Sequence, residues 1–166
     1  AISVVGADGR SFDIGDAATA FSIQSVSKPF VFALVCEAIG YEDARQRLGV
    51  NSTGLPFNSL MAVELNEQRT MNPLVNAGAI ATTSLVPGAT AADKWEAIRS
   101  GLSRFAGREL SSNQEVYASE ADTNLRNQGI ARLLTSYGRL YSDPDEATDV
   151  YTRQCSLDVT VHDLAV

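Results

Sequence analysis

The sequence predicts an α+β domain, mostly helical, with one β-hairpin near its N-terminal end. Three observations carry that expectation. The opening stretch ISVVGADGRSFDIG alternates apolar and polar residues on either side of Ala7-Asp8-Gly9-Arg10, which is the two-residue period of paired strands around a turn. Beyond it, apolar residues recur at helical spacing. Breakers and caps, among them Gly49, Pro73, Pro87-Gly88 and Asp143-Pro144, cut that pattern into ordinary helix lengths.

Taken in order, the first helix is expected from about Ser25 to Leu48, closed by Gly49. NSTGLPFNS then has the glycine, proline and asparagine density of a loop. Asn72-Pro73 opens a small-residue helix, LVNAGAIATTSLV, which ends before Pro87-Gly88 and whose alanines and glycine imply close packing. Thr90 to Ala106 reads as an amphipathic helix, and Ser112 with Glu115 has the spacing of a capping box for a short one. After Ser119, the run through Tyr137 carries Ile130, Leu133, Leu134 and Tyr137 at helical spacing. Asp143-Pro144-Asp145-Glu146 sets a proline at the first helical position and acids at the positive dipole end, so a helix carrying Tyr151 runs to about Cys155. Thr160 and Asp163 begin a further helix. A lone two-stranded ribbon is marginal, so further strands are expected beyond these residues.

Composition narrows the function classes. The 166 residues suit one domain, or a piece of a larger one. A formal charge of -7 with scattered basic residues argues against nucleic acid as a partner. The longest apolar stretch, Pro29 to Ile39, is too short for a membrane span and is cut by Glu37, and no secretory leader is read at the start, so a soluble chain is expected. Cys36 and Cys155 both fall in apolar helical settings, and His162 is the one histidine, so neither a disulfide framework nor a metal site is expected. His162 reads as an exposed first-turn residue.

Candidate chemistry centres on FSIQSVSKPF, where Ser25 and Lys28 stand three apart, one turn from each other on a helix. Ser-x-x-Lys alone occurs about once by chance in a chain of this length. Its setting is more informative. A nucleophile at a helix mouth gains from the dipole, and burial beside an apolar run disfavours charged lysine, which would let Lys28 accept the Ser25 proton. A helix cap with a solvated lysine is the plain alternative. Glu120, Asn124 and Asn127 fall at i, i+4 and i+7, so on one helix they would share a polar face suited to an ammonium and an amide, or to solvent. Asn76 lies among Val75, Ala77, Gly78, Ala79 and Ile80, and a buried amide there needs partners. Tyr151 reads as half-buried, with a hydroxyl seeking a partner.

Four blocks in order, FSIQSVSKPF, NPLVNAGAI, SEADTNLRNQGIA and DVYTRQCSLDVTVHDLA, resemble the serine-dependent glutaminases of the β-lactamase-like superfamily. The similarity runs from about Asp8 to the last residue. It implies a β-lactamase-like fold, here mainly its helical part plus the N-terminal hairpin, and a chain that lacks upstream helices and the C-terminal strands. It implies Ser25 as nucleophile and Lys28 as its base. Asn76, Glu120 and Asn127 would bind substrate, and Tyr151 would stand near the reacting serine as a catalytic and substrate-binding group. The activity implied is hydrolysis of L-glutamine to L-glutamate and ammonia through a γ-glutamyl ester, without cofactor, in a cytoplasmic homodimer or homotetramer.

The competing readings are a penicillin-recognising serine acyl hydrolase or esterase, and a non-catalytic glutamine-binding domain. The first calls for a Ser-x-Asn or Tyr-x-Asn motif, for which Ser111-Ser112-Asn113 is the available match.

Overall fold

A computed structural model describes residues 1–166. The hairpin forms as the alternation predicts: β1 (Ile2–Val5) pairs antiparallel with β2 (Ser11–Ile14), in the register Ile2 to Ile14 and Val4 to Phe12. That register puts Ile2, Val4, Phe12 and Ile14 on one face, and each is more than half exposed. The other face carries Ser3, Asp13 and, against them, His162, whose Nδ1 lies 3.3 Å from Asp13.

The long first helix is two helices. A 3-10 turn (Gln24–Val26) leads into α1 (Ser27–Ile39), and Gly40, at φ 84°, separates it from α2 (Tyr41–Leu48). Helical spacing continues across the break, but Gly40 leaves the helical region of the backbone, as a residue without Cβ does most readily. Ser27, Lys28, Val31 and Val35 form the buried face of α1. After the loop and a short α3 (Met61–Leu65) comes α4 (Asn76–Ser84), every residue of which is buried. Its start at Asn76 lies three residues after Pro73, because Asn72 Oδ1 accepts the Leu74 N–H in a turn instead.

α5 (Ala91–Phe105) begins with a reciprocal capping box between Thr90 and Asp93. The next cap differs from the expected one: Asn113, not Ser112, accepts the Val116 N–H and starts α6 (Gln114–Thr123), while Ser112 bridges to Leu157. The expected helix from Ser119 to Tyr137 is likewise divided at Asn124, where α6 ends and α7 (Leu125–Ser136) begins. Asp143 caps α8 (Pro144–Cys155) through the Asp145 and Glu146 N–H groups, as the sequence predicts.

Two strands of two residues each escaped the sequence reading. β3 (Phe21–Ser22) pairs with β4 (Asp158–Val159), and the Ile23 N–H donates to the Leu157 carbonyl. The helix expected from Thr160 and Asp163 does not form: the two bond to one another, and residues 161–165 are turn.

The small helix α4 packs against α1, α2, α7 and α8. Around it lie two apolar clusters. One contains Val63, Ile80, Ile130, Leu134 and Tyr151; the other contains Val31, Val35, Ile98, Leu102 and Val150. α8 serves both, with Val150 turned to one and Tyr151 and Cys155 to the other.

Gly78 fixes how closely the chain before α4 approaches the helix. A Cβ there would overlap the Asn72 carbonyl and meet the Met71 carbonyl oxygen at 2.7 Å. Both are backbone atoms that cannot rotate aside. Gly78→Ala is therefore expected to lower stability by about 1 to 3 kcal/mol, read as a reduced Tm, and an unchanged Tm would show that residues 71–72 yield freely.

Candidate active site

The N-termini of α1 and α4 meet at Lys28. Its side chain runs inward from the first turn of α1, with the residue 4% exposed. The ammonium donates to Asn76 Oδ1 at 2.8 Å and to the Leu74 carbonyl at 3.2 Å, and lies 5.7 Å from the centre of the Phe57 ring. Burial lowers its pKa below the ordinary lysine value, and the neighbouring Cys155 opposes that shift. The solvated-lysine alternative is thereby excluded.

Asn76 is the hub. It opens α4, 8% exposed, and its own N–H is bound by the Phe57 carbonyl at 2.8 Å. Its Oδ1 takes the Lys28 ammonium and lies 3.5 Å from the Tyr151 hydroxyl, while its Nδ2 donates to Asn127 Oδ1 at 3.0 Å. Three helices are thus tied to one amide.

Tyr151, 4% exposed on α8, holds its phenolic proton far above the ordinary range, because burial disfavours the phenolate. Cys155 adds to the rise, and the Ser25 side chain opposes it. Cys155, one turn further on, is pushed up to about 11 by burial. It lies 4.0 Å from Ser27 Oγ.

Ser25 itself is exposed, on the 3-10 turn that precedes α1. The residue before it, Gln24, has φ 50°, a backbone region uncommon for a side chain of this kind. Gln24 Nε2 reaches Glu120 Oε1 at 3.4 Å, which ties the exposed carboxylate of α6 to the serine turn.

The structure therefore groups Lys28, Asn76, Asn127 and Tyr151 directly, with Glu120 joined through Gln24 to the turn that carries Ser25. The shared helical face expected for Glu120, Asn124 and Asn127 does not exist, because the helix is divided at Asn124. Asn124 Nδ2 donates instead to Thr152 Oγ1 at 3.3 Å. Asn113 has its amide occupied by the α6 cap and by Asp158, 3.2 Å away, and Ser111-Ser112-Asn113 is an extended segment bridged to Leu157. Gln24 was missed by sequence reasoning, and no local signal marks it. No group of three or more potential metal-ligating side chains is present. No helix is long and apolar enough to cross a membrane.

Fold and site define a class: an α+β domain of β-lactamase-like type with a serine and a buried lysine at one helix mouth. Within that class the chain belongs to the glutaminase family, whose pattern matches residues 1–166. It is 60% identical to Glutaminase 2 of Yersinia pestis over 165 residues, covering 99% of this chain and 48% of that protein. The solved probable glutaminase ybaS superposes with TM-score 0.95 at 42% identity, covering 98% of this chain and 53% of that one. A Bacillus subtilis glutaminase, YbgJ, solved as a covalent complex with 5-oxo-L-norleucine formed from 6-diazo-5-oxo-L-norleucine, superposes with TM-score 0.83 at 29% identity, covering 98% and 50%. The chain spans about half the length of the curated relatives it matches.

The lowered lysine pKa has a sign that can be measured. The unfolded chain holds the Lys28 proton more tightly than the folded one, so the penalty is complete below the folded pKa and vanishes as pH rises past the ordinary 10.5. Denaturant unfolding of the wild type and of Lys28→Met should show the wild type gaining relative stability as pH is raised from neutrality. A gap that stays constant or widens would mean that Lys28 is not desolvated.

Proposed function

We propose that this chain carries the acylating part of a glutaminase site and acts on the side-chain amide of L-glutamine. One observation carries the reading: a lysine held out of water by Asn76, one turn from an exposed serine, where burial favours the neutral amine. The Ser25 Oγ attacks the amide carbon while its proton passes to neutral Lys28. The developing oxyanion requires backbone donors, of which the Ser25 N–H is one. Ammonia departs with the proton that Lys28 took from Ser25, passed on directly or relayed through the Tyr151 phenol, which gives one proton as it takes another. Water then cleaves the γ-glutamyl ester and releases glutamate.

Glu120 and Asn127 receive the amino-acid end of the substrate, the carboxylate pairing with its ammonium. The YbgJ complex supports a covalent step, since its reagent has the amino-acid end of glutamine and an electrophile beyond a carbonyl at the amide position. Family resemblance alone supports a homodimer or homotetramer in the cytoplasm. We further propose that strands covering the apolar hairpin face, and a tyrosine completing proton transfer, belong to the part of the relatives that this chain does not span.

Ammonia release measured in a chain extended to its relatives' length tests the mechanism. Ser25→Ala should cut turnover roughly a thousandfold or more. Lys28→Arg should do comparable damage, because a guanidinium stays protonated and cannot serve as base. Near-normal turnover in either variant overturns the assignment.

A second comparison tests the division of the chain. Residues 1–166 expressed alone should lack ammonia release and a sharp thermal transition, and the extended chain should show both. Full activity from the short form would place the whole site within these residues.

A further inference from the structure

Gln154 is 1% exposed on α8, near the middle of the molecule, and takes no part in the chemistry proposed above. Burying a flexible amide is costly unless all its groups are bound, and an apolar residue of that size would serve packing at least as well. Its groups are bound in one line. Oε1 accepts from Thr83 Oγ1 at 2.9 Å, and Nε2 donates to Ser27 Oγ at 3.2 Å. Ser27, fully buried, donates in turn to the Gln24 carbonyl at 2.8 Å, which the Ser27 N–H also binds. The line begins on α4, crosses α8 and α1, and ends on one backbone oxygen.

That oxygen belongs to the peptide unit joining Gln24 to Ser25. The unit is planar and trans, so its carbonyl and the Ser25 N–H point in opposite directions. Anchoring the carbonyl in the core aims the N–H away from it, toward the side where the Ser25 hydroxyl is exposed. The anchor also holds Gln24 at φ 50°, a conformation that persists only where its surroundings over-determine it. A second restraint acts from the surface, since the Gln24 side chain is bonded to Glu120.

We propose that Gln154, acting through Ser27, is a positioning residue that orients the Gln24–Ser25 peptide so that the Ser25 N–H meets the developing oxyanion. The proposal rests on the reading of Ser25 as nucleophile. Gln154 itself touches no substrate. Loss of the line should leave substrate capture intact and slow the acyl chemistry, because the donor is displaced only from the transition state.

The test uses the chain extended to its relatives' length, with ammonia release and Tm measured for each variant. Gln154→Leu and Ser27→Ala should each lower kcat roughly 10- to 100-fold with KM within about threefold. The double variant should be no slower than the worse single, because both break one line. Gln154→Glu adds a signature that packing alone would not produce. Protonated, it can donate to Ser27 while accepting from Thr83; ionised, it can only accept. Its rate relative to wild type should therefore fall as pH rises. Should Gln154→Leu fail to fold, Ser27→Ala and Gln154→Glu decide the matter. Wild-type kcat in folded variants, a loss confined to KM, or losses that multiply in the double variant would overturn the proposal while leaving the glutaminase reading in place. An extended wild type that releases no ammonia overturns that reading, and this proposal with it.

Discussion

An ammonium taken out of water must be met by acceptors, and Lys28 is met by the Asn76 side chain and the Leu74 carbonyl. Much of the structure follows from that requirement. For Asn76 to reach Lys28, the N-terminus of α4 must lie against the first turn of α1. That closeness is served by a helix of small residues, and by Gly78, where the preceding backbone passes too near for a methyl group. Asn76 cannot turn away, because its amide nitrogen is held by Asn127 and its own N–H by Phe57. The buried lysine, the Asn76 amide and the packing of α1 on α4 are therefore one arrangement.

The serine and the lysine are treated oppositely, although they are three residues apart. Ser25 is exposed on a turn, while Lys28 points inward from the helix that the turn begins. The change from a 3-10 turn to an α-helix between them permits this. A nucleophile must be reachable by substrate, and a base at neutral pH must be desolvated enough to lose its proton. Holding both conditions within one turn of chain requires the turn to be rigid. Its neighbours supply that rigidity: the Ile23 bond to Leu157, the β3–β4 pair, and the buried Ser27.

The sequence made much of the chemistry legible and some of the geometry misleading. The meeting of Lys28, Asn76 and Tyr151 was readable only through the resemblance, since the three lie in separate blocks that no local pattern connects. Helix limits at Thr90 and Asp143 were readable because their caps are side chains with a specific hydrogen-bonding pattern. The divisions at Gly40 and Asn124 were not, since hydrophobic spacing runs through both and a single residue breaks each helix. The shared face read for Glu120 and Asn127 fails for the same reason: they stand on separate helices, Glu120 bonded to Gln24 and Asn127 to Asn76. The strands β3 and β4 are too short to show a period. Gln154 gives no local signal, because a glutamine in a helix ordinarily faces solvent.

Lys28, Asn76, Gln154 and Ser27 all lie in the region where the two apolar clusters adjoin across α8. Apolar residues at those positions would spare the desolvation of an ammonium, two amides and a hydroxyl, and a chain selected for stability alone would favour them. The polar set is tolerated because its members bind one another and because the clusters on either side supply the packing. It is also why the site is well defined: a buried hydrogen bond has a direction, whereas apolar contact does not. The same four side chains that weaken the interior therefore fix where the serine turn, the lysine and the Asn76 amide stand relative to one another.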